Sequence, residues 1–349
     1  MDTRQSIHFA DRTYSNFINS LKSDETKIKY DFCIKNFMTF VDVTDYSGLL
    51  KINVEERIID YILQLRKLKL SSNTIRTRVA SIYHFYAMND VILNKVKINK
   101  YHGEYRKVVK DRPYTHEEIH KLLEIADLRM KVCILLMCSA GLRLGAIPDL
   151  KMKHLEKVDN LYKITVYENS NQEYITYCTA ECSNFIDEYI KYRERNGENI
   201  TSESYLIRDH FDDYAPLSVK QKARPITKHT IREIIAKLLV KSGTRQVREV
   251  HLTHGFRKFF TNQLFEADLK TEYRWSLEGH KLKGNDPYYV RISEKLLLEQ
   301  YQKGTNNLIV NEEFRLKRKV EVLEVEKSQL EIIAKDVETL KRKYNRLNK

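Results

Sequence analysis

A chain of 349 residues exceeds what one core usually holds and predicts two or more domains, each able to bury an interior. Its longest apolar run, Val132 to Cys138, falls far short of the roughly 20 residues that span a bilayer, and Met1 to His8 carries acid and polar groups where a secretory leader needs an apolar stretch, so a soluble, cytoplasmic protein without a membrane partner is expected. Sixty-one Lys and Arg against 48 Asp and Glu leave +13, which points to a polyanion, with nucleic acid first in line and a lysine-rich surface kept for solubility as the bland alternative.

Ten Gly and five Pro are few for this length and disfavour a turn-rich all-β fold, so helix is expected to dominate. Residues 1–95 read as a small helical domain. Tyr14, Phe17, Ile18 and Leu21 lead, Thr26 opens a run with Tyr30, Ile34, Phe37 and Phe40, and a third run carries Ile58, Ile59, Ile62 and Leu65. Ser71-Ser72-Asn73-Thr74 opens a fourth, with Ile75, Val79, Ile82, Tyr83 and Tyr86 on its apolar side and Arg76 and Arg78 turned elsewhere. Residues 96–113 form a connector. From Lys95 the basic residues Lys97, Lys100, Arg106, Lys107, Lys110 and Arg112 face only Glu104 and Asp111, so this stretch is either a linker along a phosphate backbone or a solvated loop.

Thr115-His116-Glu117-Glu118 has the form of a capping box, with Ile119, Leu122, Leu123 and Ala126 facing inward behind it. His116-Glu117-Glu118-Ile119-His120 also matches the zinc-peptidase pattern H-E-x-x-H, but it falls in the first helical turn and lacks a third ligand nearby, so no metal is expected. A buried helix through Val132 to Met137 breaks near Gly141. From Leu161 the period changes to two: Tyr162, Ile164 and Val166, a turn at Glu168 to Asn171, and Tyr174 to Tyr177 predict a β-hairpin. Helix returns at Ser183–Ile190 and Thr230–Leu239. Five cysteines, odd in number and without C-x-x-C spacing, read as reduced, buried thiols. From Glu312, a charged stretch free of Gly and Pro places Leu316, Val320, Leu323, Leu330, Ile333, Val337, Leu340, Tyr344 and Leu347 at threes and fours, with Lys327 interrupting. It predicts a helix of roughly 55 Å, suited to an intermolecular coiled coil.

No glycine-rich phosphate loop of either common type is present, so any work on a polyanion proceeds without ATP. Three stretches carry chemistry instead. Ser139-Ala140-Gly141-Leu142-Arg143 sets an arginine just after a helix break, where it needs an anion, either a phosphate or a structural carboxylate such as Asp149. In His254-Gly255-Phe256-Arg257 an imidazole and a guanidinium fall on one helical face, with Phe256, Phe259 and Phe260 as the buried anchor. Leu277-Glu278-Gly279-His280 is followed nine residues after the histidine by Tyr289, itself preceded by Tyr288, two phenols among 22 tyrosines.

This ordered set, Gly-Leu-Arg, then His-x-x-Arg, then Gly-His and a tyrosine at plus nine, resembles the tyrosine recombinases, also called phage integrases. The run His254 to Phe260 and the charged tail are most like integrases of archaeal mobile elements. The resemblance implies a mainly α fold with a small β-hairpin or sheet: a helical core-binding domain over 1–95, a basic linker over 96–113, a catalytic domain over 114–308 and an amphipathic helix over 309–349. It implies that Tyr289 attacks a scissile phosphate surrounded by Arg143, His254, Arg257 and His280, giving a 3′-phosphotyrosyl link and a free 5′-hydroxyl, with Tyr288 the competing nucleophile. No metal or other cofactor is implied. The partner would be double-stranded DNA, gripped through Lys27, Lys29, Arg76 and Arg78 of the clamp and Lys100, Arg106 and Lys107 of the linker by a tetramer on paired sites in the nucleoid.

Two family features are absent. The hairpin turn has no lysine to protonate the leaving 5′ oxygen, Lys163 on the preceding strand being the nearest, and Ala146 stands where an acid usually follows the first arginine by three. Loss of a general acid costs about 10² to 10⁴ in rate, so reduced turnover is expected. A type IB topoisomerase, or a DNA-binding relative with impaired catalysis, are the other readings.

Overall fold

The computed structural model describes residues 12–104, 111–210, 216–221, 223–244, 249–281 and 292–347. The chain divides into two compact units, Met1–Val109 and Lys110–Lys349.

The first unit is helical. Helix α1 covers residues 12–19, followed by α2 (Asp24–Phe40), α3 (Val54–Lys67), α4 (Ser72–Ala87) and the short α5 (Lys95–Asn99), which runs into a 3-10 turn at Lys100–His102. The Ser71 hydroxyl accepts the Thr74 amide at 3.1 Å, which fixes the start of α4 where the sequence places it. Ile34, Phe37, Ile58, Ile62, Ile75, Val79, Ile82 and Phe85 are buried together, with Phe17 set edge-on to Phe85 at 5.4 Å. The Tyr86 hydroxyl closes the core by donating to the Leu49 carbonyl at 2.8 Å. Part of the stretch expected as linker is folded: α5 and the turn after it pack on α3, with Arg66 donating to the Tyr101 carbonyl at 3.0 Å.

The second unit is built around α7 (Leu128–Ser139). Its residues 132–138 are apolar on every side and fully buried, as a helix without a polar face must be. Around it lie α6 (His116–Ile125), α8 (Ala180–Arg195), α10 (Lys228–Lys241), α11 (His254–Glu266) and α13 (Glu294–Leu308), while α9 (Leu217–Gln221) and α12 (Thr271–Leu277) are shorter. The capping box at Thr115 and Glu118 is present, and Glu118 also takes both amino groups of Arg112, at 2.8 and 2.6 Å. A residue read as part of a basic stripe is therefore spent on an internal ion pair.

The expected hairpin is the larger part of a three-stranded antiparallel sheet, β1 (Leu155–Val158), β2 (Leu161–Val166) and β3 (Tyr174–Cys178), in the order β1-β2-β3. The pairs Ile164↔Thr176 and Lys163↔Tyr177 set the register, and β1 adds Glu156 opposite Lys163. Strand β1 has four residues and a half-exposed pattern, too short for an alternation to stand out.

Helix α14 (Glu312–Leu347) is the long C-terminal helix. Just before it, the buried Glu181 carboxylate accepts the amides of Val310 at 2.9 Å and Asn311 at 3.0 Å. Leu316, Val320, Leu323, Leu330, Ile333, Val337 and Leu340 on it are exposed. Among the described residues no helix is long and apolar enough to cross a membrane.

Candidate active site

The four residues expected to surround a phosphate are all described, and three of them, Arg143, Arg257 and His280, converge in the second unit. Gly141 lies after the last turn of α7 with φ +64°, and a side chain there would strike the Phe260 ring, its Cβ coming within 2.4 Å of Cδ1. This turn lifts Arg143 out of the helix. Among the described residues no hydrogen bond or ion pair engages its half-buried guanidinium, so the alternative of a structural pair with Asp149 is not what the fold adopts.

His254 and Arg257 occupy the first turn of α11. Phe256, Phe259 and Phe260 are buried to within 1 % and anchor that turn, Tyr114 stacking on Phe256 at 4.3 Å. Arg257 is itself buried. It donates to the carbonyl of Gly141 and, at 2.5 Å, to that of Glu278, so backbone acceptors hold it in one orientation. Burial and the charge of Arg143 draw its pKa below the ordinary arginine value, against the pull of Glu278. His254 is likewise drawn down by burial and by Lys258 and Arg257. The Lys258 ammonium is held by Asp111, which fixes it next to that first turn.

His280 stands beyond α12. Gly279 has φ +64° and lies against the Tyr174 ring, where a Cβ would come within 2.4 Å of Cδ1. The His280 amide donates to the Trp275 carbonyl at 2.8 Å, while its Nε2 lies 3.2 Å from Arg257 Nη2 and 3.1 Å from Glu278 Oε2. Burial lowers the imidazole pKa, Arg257 and Arg143 lower it further, and Glu278 opposes them. A cleft of about 710 Å³ opens here, lined by Arg143, His280, Lys281, Tyr174 and the hairpin residues Asn171 to Glu173. Tyr174 is near enough to both guanidiniums that their charges offset part of the rise burial imposes on its phenol.

Glu278 is the residue the sequence reading passed over. Its carboxylate is 7 % exposed and lies between Arg257, at 3.5 Å, and His280. A signal was available: an acid at the C-cap of a helix opposes the macrodipole and calls for cations to compensate it.

Other expected residues lie apart. Lys163 is clasped by Glu156 at 2.5 Å and Glu294 at 3.0 Å, away from the hairpin turn. His116 Nε2 meets the Asn307 carbonyl at 2.8 Å and His120 pairs with Glu124, so the H-E-x-x-H histidines serve different neighbours. Among the described residues no group of three or more His, Cys, Asp or Glu is arranged to hold a metal. In the first unit Lys29, Arg76 and Lys100 are exposed, Lys27 pairs with Asp24 at 3.2 Å, and Arg78 donates to the Tyr61 hydroxyl at 3.3 Å. Tyr288, Tyr289, Arg106 and Lys107 lie outside the described residues.

Curated relatives include the tyrosine recombinase XerC of Lactobacillus leichmannii, 21% identical over 262 residues that span 71% of this chain and 82% of the relative. The XerC of Mannheimia succiniciproducens is 26% identical over 261 residues, 72% of this chain and 81% of its own. Among solved structures, a lambda integrase tetramer bound to a Holliday junction is similar with a TM-score of 0.56 and 16% identity, covering 79% of this chain and 77% of that one. The Tn1549 transposon integrase in complex with circular intermediate DNA has a TM-score of 0.56 and 14% identity, covering 84% of this chain and 99% of that one. Both likenesses show a shared fold, mainly helical with a small sheet. A family model described as the Phage integrase family matches residues 113–295, just over half of the chain and including Arg143, His254, Arg257 and His280, and on that match the chain belongs to the Phage integrase family.

Proposed function

We propose that this chain is a site-specific DNA recombinase that cuts and rejoins DNA through a 3′-phosphotyrosyl intermediate. The observation that carries the reading is the Arg143 guanidinium, unpaired among the described residues and opening on the same cleft as His280, with the backbone-locked Arg257 3.2 Å from that imidazole. Two guanidiniums that keep their charge can hold both non-bridging oxygens of a phosphodiester, and phosphoryl transfer is largely positioning and charge stabilisation. Tyr289 is the proposed nucleophile: its oxygen bonds to phosphorus as the bond to the 5′ oxygen breaks, with His254 and His280 assisting. The covalent link conserves the phosphodiester energy, so the reading needs neither ATP nor a metal.

The +13 charge supports a DNA partner, as do the similar lambda and Tn1549 integrase structures, which are complexes with DNA. In this reading residues 1–95 clamp the duplex through Lys27, Lys29, Arg76 and Arg78, residues 96–113 follow its backbone through Lys100, Arg106 and Lys107, and residues 114–308 cut it. The exposed apolar face of α14 would join protomers, four on paired sites. An archaeal mobile element as source and association with the nucleoid belong to the same proposal.

The test is a nicked suicide duplex carrying the chain's own attachment site. A covalent protein–DNA adduct that disappears in Tyr289→Phe is expected. No adduct with the wild-type chain sinks the enzymatic reading and leaves a DNA-binding relative. An adduct that survives Tyr289→Phe and vanishes in Tyr288→Phe moves the nucleophile by one residue.

A further inference from the structure

His280 Nε2 receives two contacts that make opposite demands. Arg257 Nη2, at 3.2 Å, can only donate, whereas Glu278 Oε2, at 3.1 Å, can only accept. If Nε2 held a lone pair it would face the carboxylate's own lone pairs, and the nearest remaining donor to Oε2 would be Arg257 at 3.5 Å, leaving a buried anion poorly paired. If Nε2 carries hydrogen it donates to Oε2, Thr261 donates to Oε1 at 2.7 Å, and Arg257 Nη2 keeps its acceptor at the Glu278 carbonyl. The second arrangement satisfies the carboxylate, and the first does not.

We propose that Glu278 is a positioning residue that fixes His280 in the Nε2-protonated form and so leaves Nδ1 as the nitrogen that works in the cleft. Among the described residues Nδ1 has no hydrogen-bond partner, and the ring, about half exposed, lines the cleft that Arg143 and Tyr174 also line. The charged and titratable groups against it are Glu278 beyond α12, Arg257 of α11, Arg143 after α7, Tyr174 of β3 and its neighbour Lys281. The cations and burial keep the ring neutral, so Nδ1 presents a lone pair. The role that follows rests on the recombinase reading. Nδ1 accepts the proton of the attacking hydroxyl while its oxygen bonds to phosphorus; the bond to the 5′ oxygen breaks, and water protonates that oxygen.

The experiment is long-range ¹H–¹⁵N correlation of the histidine rings in the full chain without DNA, with His280 assigned by its disappearance in His280→Asn. Wild type is expected to show Nε2–H on the neutral ring. Glu278→Gln, which keeps an acceptor and removes the charge, shifts the His280 titration to lower pH; Glu278→Leu switches the ring to Nδ1–H, with Nε2 accepting from Arg257. In the adduct assay Glu278→Gln moves the acidic limb of the pH–rate profile down with the His280 titration and leaves DNA retention unchanged, a displacement that a purely structural role does not produce. An Nδ1–H ring in wild type, or the same titration in Glu278→Gln as in wild type, overturns the proposal. A wild-type chain that shows the Nε2–H ring but forms no adduct overturns the recombinase reading and, with it, the proton transfer, while the pairing of Glu278 with His280 stands.

Discussion

Arg257 donates to the carbonyl oxygen of Gly141, 116 residues before it in the chain, so one buried guanidinium joins the turn that presents Arg143 to the helix that presents His254. The two arginines are therefore placed by the same contact. Disturbing either end should affect both.

Gly141→Ala tests the turn. Its φ of +64° costs an L-residue about 1–2 kcal/mol, and the clash with Phe260 adds about 1–3 kcal/mol of overpacking. Gly243 provides the control, with φ +69° and nothing within 4 Å of a new Cβ. In urea unfolding Gly141→Ala should lose about 2–5 kcal/mol and Gly243→Ala only about 1–2 kcal/mol. Equal losses would remove Phe260 from the explanation.

Arg257→Lys tests the fork. A lysine carries the charge but cannot reach the Gly141 and Glu278 carbonyls together while offering donors to a phosphate. Adduct formation should fall by about 10²–10³, the usual loss for one preorganised oxyanion donor. A variant within a few-fold of wild type would show that charge alone suffices.

Lys163→Ala asks whether the strand lysine replaces the one missing from the hairpin. Its ammonium is already clasped by Glu156 and Glu294, so the rate of adduct formation should change less than about threefold. A general acid would cost about 10²–10⁴ on removal. A drop of that size would return Lys163 to the mechanism.

Glu118→Gln tests the entry to the second unit. The hydrogen bonds from Arg112 hold the Glu118 carboxyl below the ordinary glutamate range, against the rise that burial alone would cause. A folded pKa below the unfolded one contributes stability above the unfolded value and loses it as the pH falls through the folded value. The variant should therefore be less stable than wild type by about 1–2 kcal/mol at neutral pH, the usual worth of a cap, and the gap should be smaller at an acid pH below the ordinary glutamate range. Urea midpoints at the two pH values measure it.

The sequence was sufficient wherever the governing interactions are local. Ser71 caps α4 through an amide three residues on, Thr115 and Glu118 cap α6 the same way, and the period of three or four marks which side of each helix is buried. The order and spacing of Arg143, His254, Arg257 and His280 were likewise legible, because these residues belong to short motifs. Strand β1 escaped notice because four half-exposed residues show no period, and its place is decided by pairing with β2.

What the sequence by itself determined is the helical frame, the hairpin and the identity of the motif residues. Only the tertiary structure decided which charges are spent and which are free: Arg112 on Glu118, Lys163 on Glu156 and Glu294, Arg257 on two backbone carbonyls, and Arg143 on nothing among the described residues. It also decided that Glu278, silent in the spacing, lies between Arg257 and His280. The physical reason is range. Caps and periods follow fixed offsets within a turn or two of chain, whereas the partners of a buried charge are chosen by packing at any separation, 6 residues for Arg112 and Glu118 but 116 for Arg257 and Gly141, and burial makes each choice costly to leave unmade.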